Sequence, residues 1–291
     1  MDVNCEGCAG CCLDWRPLAD GTLDHERRGP RKPLDDTYNL ALLRRDEVRA
    51  FVEAGLADAL VPRLWAAEND GVTVGGIDLA SIAGRPAFGV GLRKVPKPVA
   101  PFDHEPSWLS TCVFLDPSTL QCRIHDEDRY PETCGTYPGT NLLLDVETEC
   151  ERVEAEHGTR RLLGDEPPAD AEPLFGPGAL GTAVFAHPDP DRIADAIRRL
   201  RDSESTRRDR AKFVAVAAAA SPGTVAIADE FYERTLERAL DAGSWVGAAI
   251  EEWESLEGNG ETDPSLATSV EGERGAPLTP GWESAGSDHR G

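Results

Sequence analysis

The run Cys5-Glu6-Gly7-Cys8-Ala9-Gly10-Cys11-Cys12 decides how the first half of this chain is read. Three explanations compete for so dense a set of thiols. The opening MDVNCEGCAGCC has no basic leader and no hydrophobic stretch, so a cytoplasmic location is expected. Disulfides rarely persist in that compartment, and a loop as short as Cys5 to Cys8 closes with poor geometry. Buried structural thiols fit no better, because the run holds no other apolar residue larger than Ala9 and makes a poor core strand. Metal binding does explain the spacing. A gap of two residues lets the chain curl so that two thiolates converge on one centre. Gly7, Ala9 and Gly10 allow tight turns with N–H groups aimed at sulfur. Thiolates select zinc, Cu(I) or iron–sulfur clusters.

The remaining cysteines, Cys112, Cys122, Cys134 and Cys150, stand singly, and all eight lie within the first 150 residues. The candidate ligands are therefore Cys5, Cys8, Cys11, Cys12, Cys112, Cys122, Cys134 and Cys150. Cys-x2-Cys-x2-Cys is similar to the opening of the bacterial ferredoxin run, which points to a cluster such as [4Fe-4S]. Zinc sites more often show paired knuckles, yet zinc stays open. Cys11 and Cys12 are adjacent, and neighbouring side chains diverge. Either they feed two neighbouring centres, or one is a ligand and the other a spare thiol. Eight sulfurs support two four-cysteine sites, or one site with a redox-active remainder.

The second block extends the pattern. It comprises Cys112-Val113-Phe114-Leu115, Cys122-Arg123-Ile124-His125, Arg129-Tyr130-Pro131-Glu132-Thr133-Cys134 and Tyr137-Pro138. With the first block it resembles the cysteine-cluster (CxxCxxCC) family of zinc- or iron-chelating proteins, whose later run reads C-x-F-L, C-x-I-Y, R-P-x-x-C-R-x-F-P. The resemblance covers residues 1–150 and implies a zinc or iron–sulfur cofactor on these cysteines. It implies no single reaction: some relatives are linked to lysine methylation, others are labelled iron–sulfur oxidoreductases. Tyr130 separates Arg129 from Pro131, His125 stands where the family tends to have Tyr, and Gly135 where it often has Arg. None of these departures removes a cysteine.

Composition bounds the rest. The 291 residues carry 30 Lys+Arg against 53 Asp+Glu, a net charge of −23. No basic patch is available for nucleic acid or for an anionic membrane surface. The longest apolar run, Phe213 to Ala220, is too short to span a bilayer. The charge reads as the self-repelling surface of a halophilic protein. Lysine is scarce: Lys32, Lys94, Lys97 and Lys212 are the only four.

Apolar spacing predicts a helix over Arg44–Leu60, short strands or a hairpin within 71–99, and helices through 189–256. From Glu257 onward Gly, Ser, Pro, Thr and acid dominate, which predicts disorder. The expected fold class is α+β, with a small Cys-rich, metal-stapled domain (1–165) built on short strands. A Pro/Gly-rich linker (166–188), a helical region (189–256) and a disordered acidic tail (257–291) follow. The helices are expected to pack on the first domain or to offer a surface to a partner protein. Cys8→Ser should lose metal and destabilise the domain, whereas removing 257–291 should change neither.

Other motifs are weaker. Gly176-Pro177-Gly178-Ala179-Leu180-Gly181 fits G-x-G-x-x-G, but EPPADAEPLF before it is no strand. The six histidines lack metal spacing, and Asp126-Glu127-Asp128 reads as solvated charge. Tyr130, Tyr137 and Trp108 are expected to pack around the sulfurs and exclude water. Two function classes stay open: a redox centre or open Lewis-acid site, and a closed, non-catalytic zinc site that staples the fold or supports partner binding.

Overall fold

A computed structural model describes residues 2–21, 31–125, 127–168 and 172–282. The helix expected over Arg44–Leu60 is shorter than its apolar spacing. Helix α1 (Arg45–Glu53) opens where the Glu47 carboxylate accepts the Arg44 N–H at 2.6 Å. It closes at Gly55, whose φ is +74°. Gly55 N–H donates to Val52 O at 3.1 Å and Leu56 N–H to Phe51 O at 2.8 Å, the paired bonds of a Schellman stop. Leu56, Ala57, Ala59 and Leu60 stay buried beyond it, in a single turn of 3-10 helix (Ala57–Ala59) and in strand β1 (Leu60–Leu64). Periodicity thus tracks burial past the point where helical geometry ends. Nothing lies within 4 Å of a Cβ built at Gly55, so Gly55→Ala meets only the conformational penalty of left-handed backbone. The expected loss is about 1 kcal/mol, read as a lower urea midpoint at unchanged m.

Strands β2 (Gly71–Val74), β3 (Ile77–Ile82) and β4 (Arg85–Leu92) follow. They are joined at Gly75-Gly76 and Ala83-Gly84, all four with positive φ, as two-residue hairpins require. β5 (Lys94–Val99) and β6 (Ser107–Cys112) form a separate antiparallel pair, with Lys94 opposite Cys112. Pro96 and Pro98, two apart, put both missing N–H groups on one edge, so that pairing survives. β7 (Phe185–Ala186), from the expected linker, joins β4. The larger sheet runs β1-β4-β3-β2, with β7 beside β4.

Three short helices follow, α2 (Glu132–Thr136), α3 (Gly139–Leu143) and α4 (Glu149–His157), of which α2 carries Cys134 and α4 carries Cys150. Thr148 and Glu151 cap α4 reciprocally, and Gly158 ends it with φ +75°. Then come α5 (Ala194–Arg201), α6 (Arg207–Ala219), α7 (Asp229–Leu240) and α8 (Trp245–Leu256). α6 is buried along most of its length, as an evenly apolar helix must be.

The architecture is mixed α and β, but the small metal-stapled domain is not set off as a body of its own. One apolar core takes Phe51, Phe88, Val113, Phe114 and Ile124 from the first 165 residues, Phe185 from the linker, and Phe213 and Trp253 from the helices. The expected boundaries at 166 and 189 therefore separate no cores. A second, smaller cluster holds Cys8, Ala9, Leu13, Trp15, Val99, Phe102, Leu109, Leu115 and Val153.

The tail also departs from expectation. Residues 263–275 form 3-10 turns around α9 (Ala267–Val270), with Ala267, Val270 and Glu271 buried. Its main anchor is a buried carboxylate, which a hydropathy pattern does not register. Residues 283–291 and Asp126 lie outside the described residues. Among those described, no helix is long and apolar enough to cross a membrane.

Candidate metal centre

The first cysteine block folds as consecutive turns. Cys8 N–H donates to Cys5 O at 3.1 Å and Cys12 N–H to Ala9 O at 2.8 Å. Gly7 and Ala9 take positive φ between them. Gly10 N–H points at Cys8 Sγ, 3.4 Å away. Gly10 is also a point of close approach: a Cβ there would stand 2.9 Å from Val153 Cγ2 and 3.5 Å from Cys8 Sγ.

Three later segments meet this loop. Leu13 bridges Thr111, and Cys112 N–H donates to Cys12 O at 2.8 Å. Leu115 bridges Cys122, and His125 N–H turns back to Cys122 O. The His125 ring lies 4.8 Å from that of Tyr130, which packs against the backbone beside Cys134 at Gly135. Cys150 sits in the first turn of α4, one turn before Val153. Beyond α4 the chain returns to the head, where Asn4 N–H donates to Arg161 O at 2.7 Å and Arg161 Nη1 to Glu6 O at 2.6 Å. All eight sequence candidates are thereby drawn to one region.

None of the eight cysteines is in a disulfide. Burial is the largest cause that lifts Cys8 to about 11 and Cys122 to about 12, and neighbouring thiolate charge adds to it; Cys5, which is exposed, is raised in the same direction beside Cys11 and Cys8. Cys11 is raised first by its contact with Cys12, Sγ to Sγ 3.8 Å, and then by burial. Such thiols stay neutral, unlike a reactive cysteine, whose pKa is depressed. Coordination reverses the balance, since a metal-bound thiol is deprotonated outright.

Among the described residues, no three His, Cys, Asp or Glu side chains stand in an arrangement that holds a metal ion. The sulfurs converge without closing on a point. Lys94 provides a test of fit. It faces Cys112 across the β5–β6 pair, and its buried Nζ has no hydrogen-bond partner. Burial lowers its pKa, while the charges of Cys12, Cys112, Cys11 and Asp14 oppose that fall. Zinc(II) with four thiolates, or a [4Fe-4S] cluster in its +2 state with four, carries a net charge of about −2. A protonated Lys94 beside these sulfurs would offset part of that charge, whichever of the two groups they held.

Sequence reasoning missed Lys94, although the scarcity of lysine marked it. It also missed Glu149, a buried carboxylate next to Cys150. Glu149 Oε2 accepts from Trp15 Nε1 at 3.0 Å and Tyr38 Oη at 2.5 Å, and its N–H donates to Tyr137 Oη. These bonds pin the start of α4 to the head. Tyr130 and Tyr137 lie at the site as expected, but Trp108 does not pack there. It packs edge-on against Trp253 and donates to Glu261 O. Gly176–Gly181 is turn and loop rather than a strand-to-helix junction.

The model of one family, DUF7531, a family of unknown function, matches residues 1–283. No curated protein and no solved structure matches the chain.

Proposed function

The chain belongs to the DUF7531 family, and we propose that it is a metal-binding protein whose clustered cysteines chelate zinc or an iron–sulfur cluster. The observation that carries this reading is the convergence of eight unbridged cysteines from four segments up to 145 residues apart. The order and spacing of the two blocks, which resemble the zinc- or iron-chelating cysteine-cluster family, support it as well. A reducing, cytoplasmic setting belongs to the same proposal, since it keeps thiols available. A cluster makes the site a redox centre. Zinc makes it a staple, and the second reading, a non-catalytic structural or partner-binding module, is favoured by the distance in sequence between the segments that meet.

Anaerobic purification in high salt, followed by metal and sulfide analysis and a visible absorption spectrum, tests the proposal. Iron with sulfide and a broad visible band that dithionite bleaches identify a cluster; zinc in a colourless protein identifies the staple. Cys8→Ser is expected to lose metal in either case. A chain with neither metal, or full metal content in Cys8→Ser, overturns the reading.

A further inference from the structure

Resting on the metal-binding reading, we infer that the eight cysteines form two separate four-sulfur centres, Cys5, Cys8, Cys11 and Cys150 in one, Cys12, Cys112, Cys122 and Cys134 in the other. The backbone makes this division. On one side, the Cys5–Cys8 turn lies under α4: Val153 and Cys8 Sγ both abut Gly10, and Cys150 precedes Val153 by one turn on the same helix face. Bonds from the Arg161 segment to Asn4 and Glu6 hold that side closed.

On the other side, Cys12 is bound through its carbonyl to Cys112 N–H. Cys122 reaches the same place through the Leu115 bridge. Cys134 follows through the His125–Tyr130–Gly135 contacts. Cys122 packs on the main core and Cys8 belongs to the smaller cluster, while Cys12 packs against the smaller cluster and Cys112 touches both. The second set thus lies where the two apolar bodies meet, and the Cys11-Cys12 dipeptide joins it to the first.

Electrostatic neighbours agree with this geometry. The thiolates that most affect Cys150 are Cys11, Cys8 and Cys5, whereas Cys12 feels its neighbour Cys11 first and then Cys112, Cys134 and Cys122. Cys11 lies near both sets. A contact of 3.8 Å between Cys11 and Cys12 would also suit two ligands of one ion, so the count decides. Each side already has three sulfurs, the backbone bond from Cys112 ties Cys12 to the second side, and Cys11 completes the first.

The test is metal stoichiometry of the full chain, supported by cadmium NMR after exchange of cadmium into it. Wild type should hold two centres and show two all-sulfur cadmium resonances. Cys150→Ser and Cys11→Ser should each lose half the metal, and with it one and the same resonance. Cys122→Ser and Cys12→Ser should lose the other half, and Cys150→Ser with Cys122→Ser should lose all. One metal centre in wild type, or loss of both resonances from a single variant that stays folded by circular dichroism, overturns the division while leaving metal binding intact. Should the variants misfold, the number of wild-type resonances still decides between one centre and two. A wild-type chain that binds neither native metal nor cadmium overturns the underlying reading.

Discussion

Glu271→Ala is expected to cost about 3–5 kcal/mol, the range for removing one partner from a buried ion pair. Its carboxylate is fully buried. Oε1 meets Lys97 Nζ at 2.6 Å and Trp253 Nε1 at 2.9 Å, and Oε2 meets Arg123 Nε at 2.8 Å. Arg123 also pairs with Asp116 at 3.1 Å, so two cations and two anions balance in the interior. The alanine leaves one positive charge unbalanced and strands Lys97, which is 1% exposed. Against a typical total of about 5–15 kcal/mol, that loss brings the chain close to unfolding. Deleting the chain from Pro264 onward removes the same carboxylate and should cost at least as much. Glu271→Gln combined with Lys97→Met restores neutrality around the Arg123–Asp116 pair. The double variant should therefore be more stable than the sum of its single effects, by about 0.5–3 kcal/mol. Denaturant midpoints of the four chains measure this. A Glu271→Ala midpoint equal to that of wild type would show that the tail is not anchored here.

That anchor also shows what sequence could and could not reveal. The two cysteine blocks were legible because their clustering and two-residue spacing are local features of the sequence. Short strands or a hairpin within 71–99 were legible because the runs there are β-branched and punctuated by glycine. The strands β1 and β6 were not: Leu60 continues an apolar period begun in α1, and Ser107–Cys112 has no clear alternation. The tail was misread for a different reason. A segment with few apolar residues is ordered by one acid whose partners, Lys97 and Arg123, lie 174 and 148 residues away. Lys97 Nζ also donates to Val113 O and Leu115 O, beside Cys112. The tail therefore supports the segment that carries the second sulfur block, and that link crosses three expected domain boundaries.

On the proposed metal-binding reading, stripping the metal with a chelator under reducing conditions is expected to loosen the head and α4 while leaving the main core folded. The two bodies differ in what holds them. α6 lies in the main core, where Phe213 packs edge-on against Phe88 with ring centroids 5.0 Å apart, and no cysteine is needed for that contact. The head depends on the smaller cluster, where Cys8, Trp15, Phe102 and Val153 are the principal contacts. Without a cation its thiols are neutral and the long-range tie between residues 5–12 and Cys150 is lost. Ligand binding feeds directly into folding free energy, about 10–16 kcal/mol for a structural zinc site. That exceeds what the Glu149 carboxylate can hold through its bonds from Trp15 and Tyr38, at about 1.5–3 kcal/mol for each charge-assisted bond. Amide hydrogen exchange should therefore accelerate by at least about 100-fold in residues 2–18 and 149–162, equivalent to about 3 kcal/mol, with α6 unchanged. Unchanged exchange in the head would mean that the sulfurs do not staple it. Equal acceleration in α6 would mean that the main core depends on the metal, contrary to the packing that separates the two clusters.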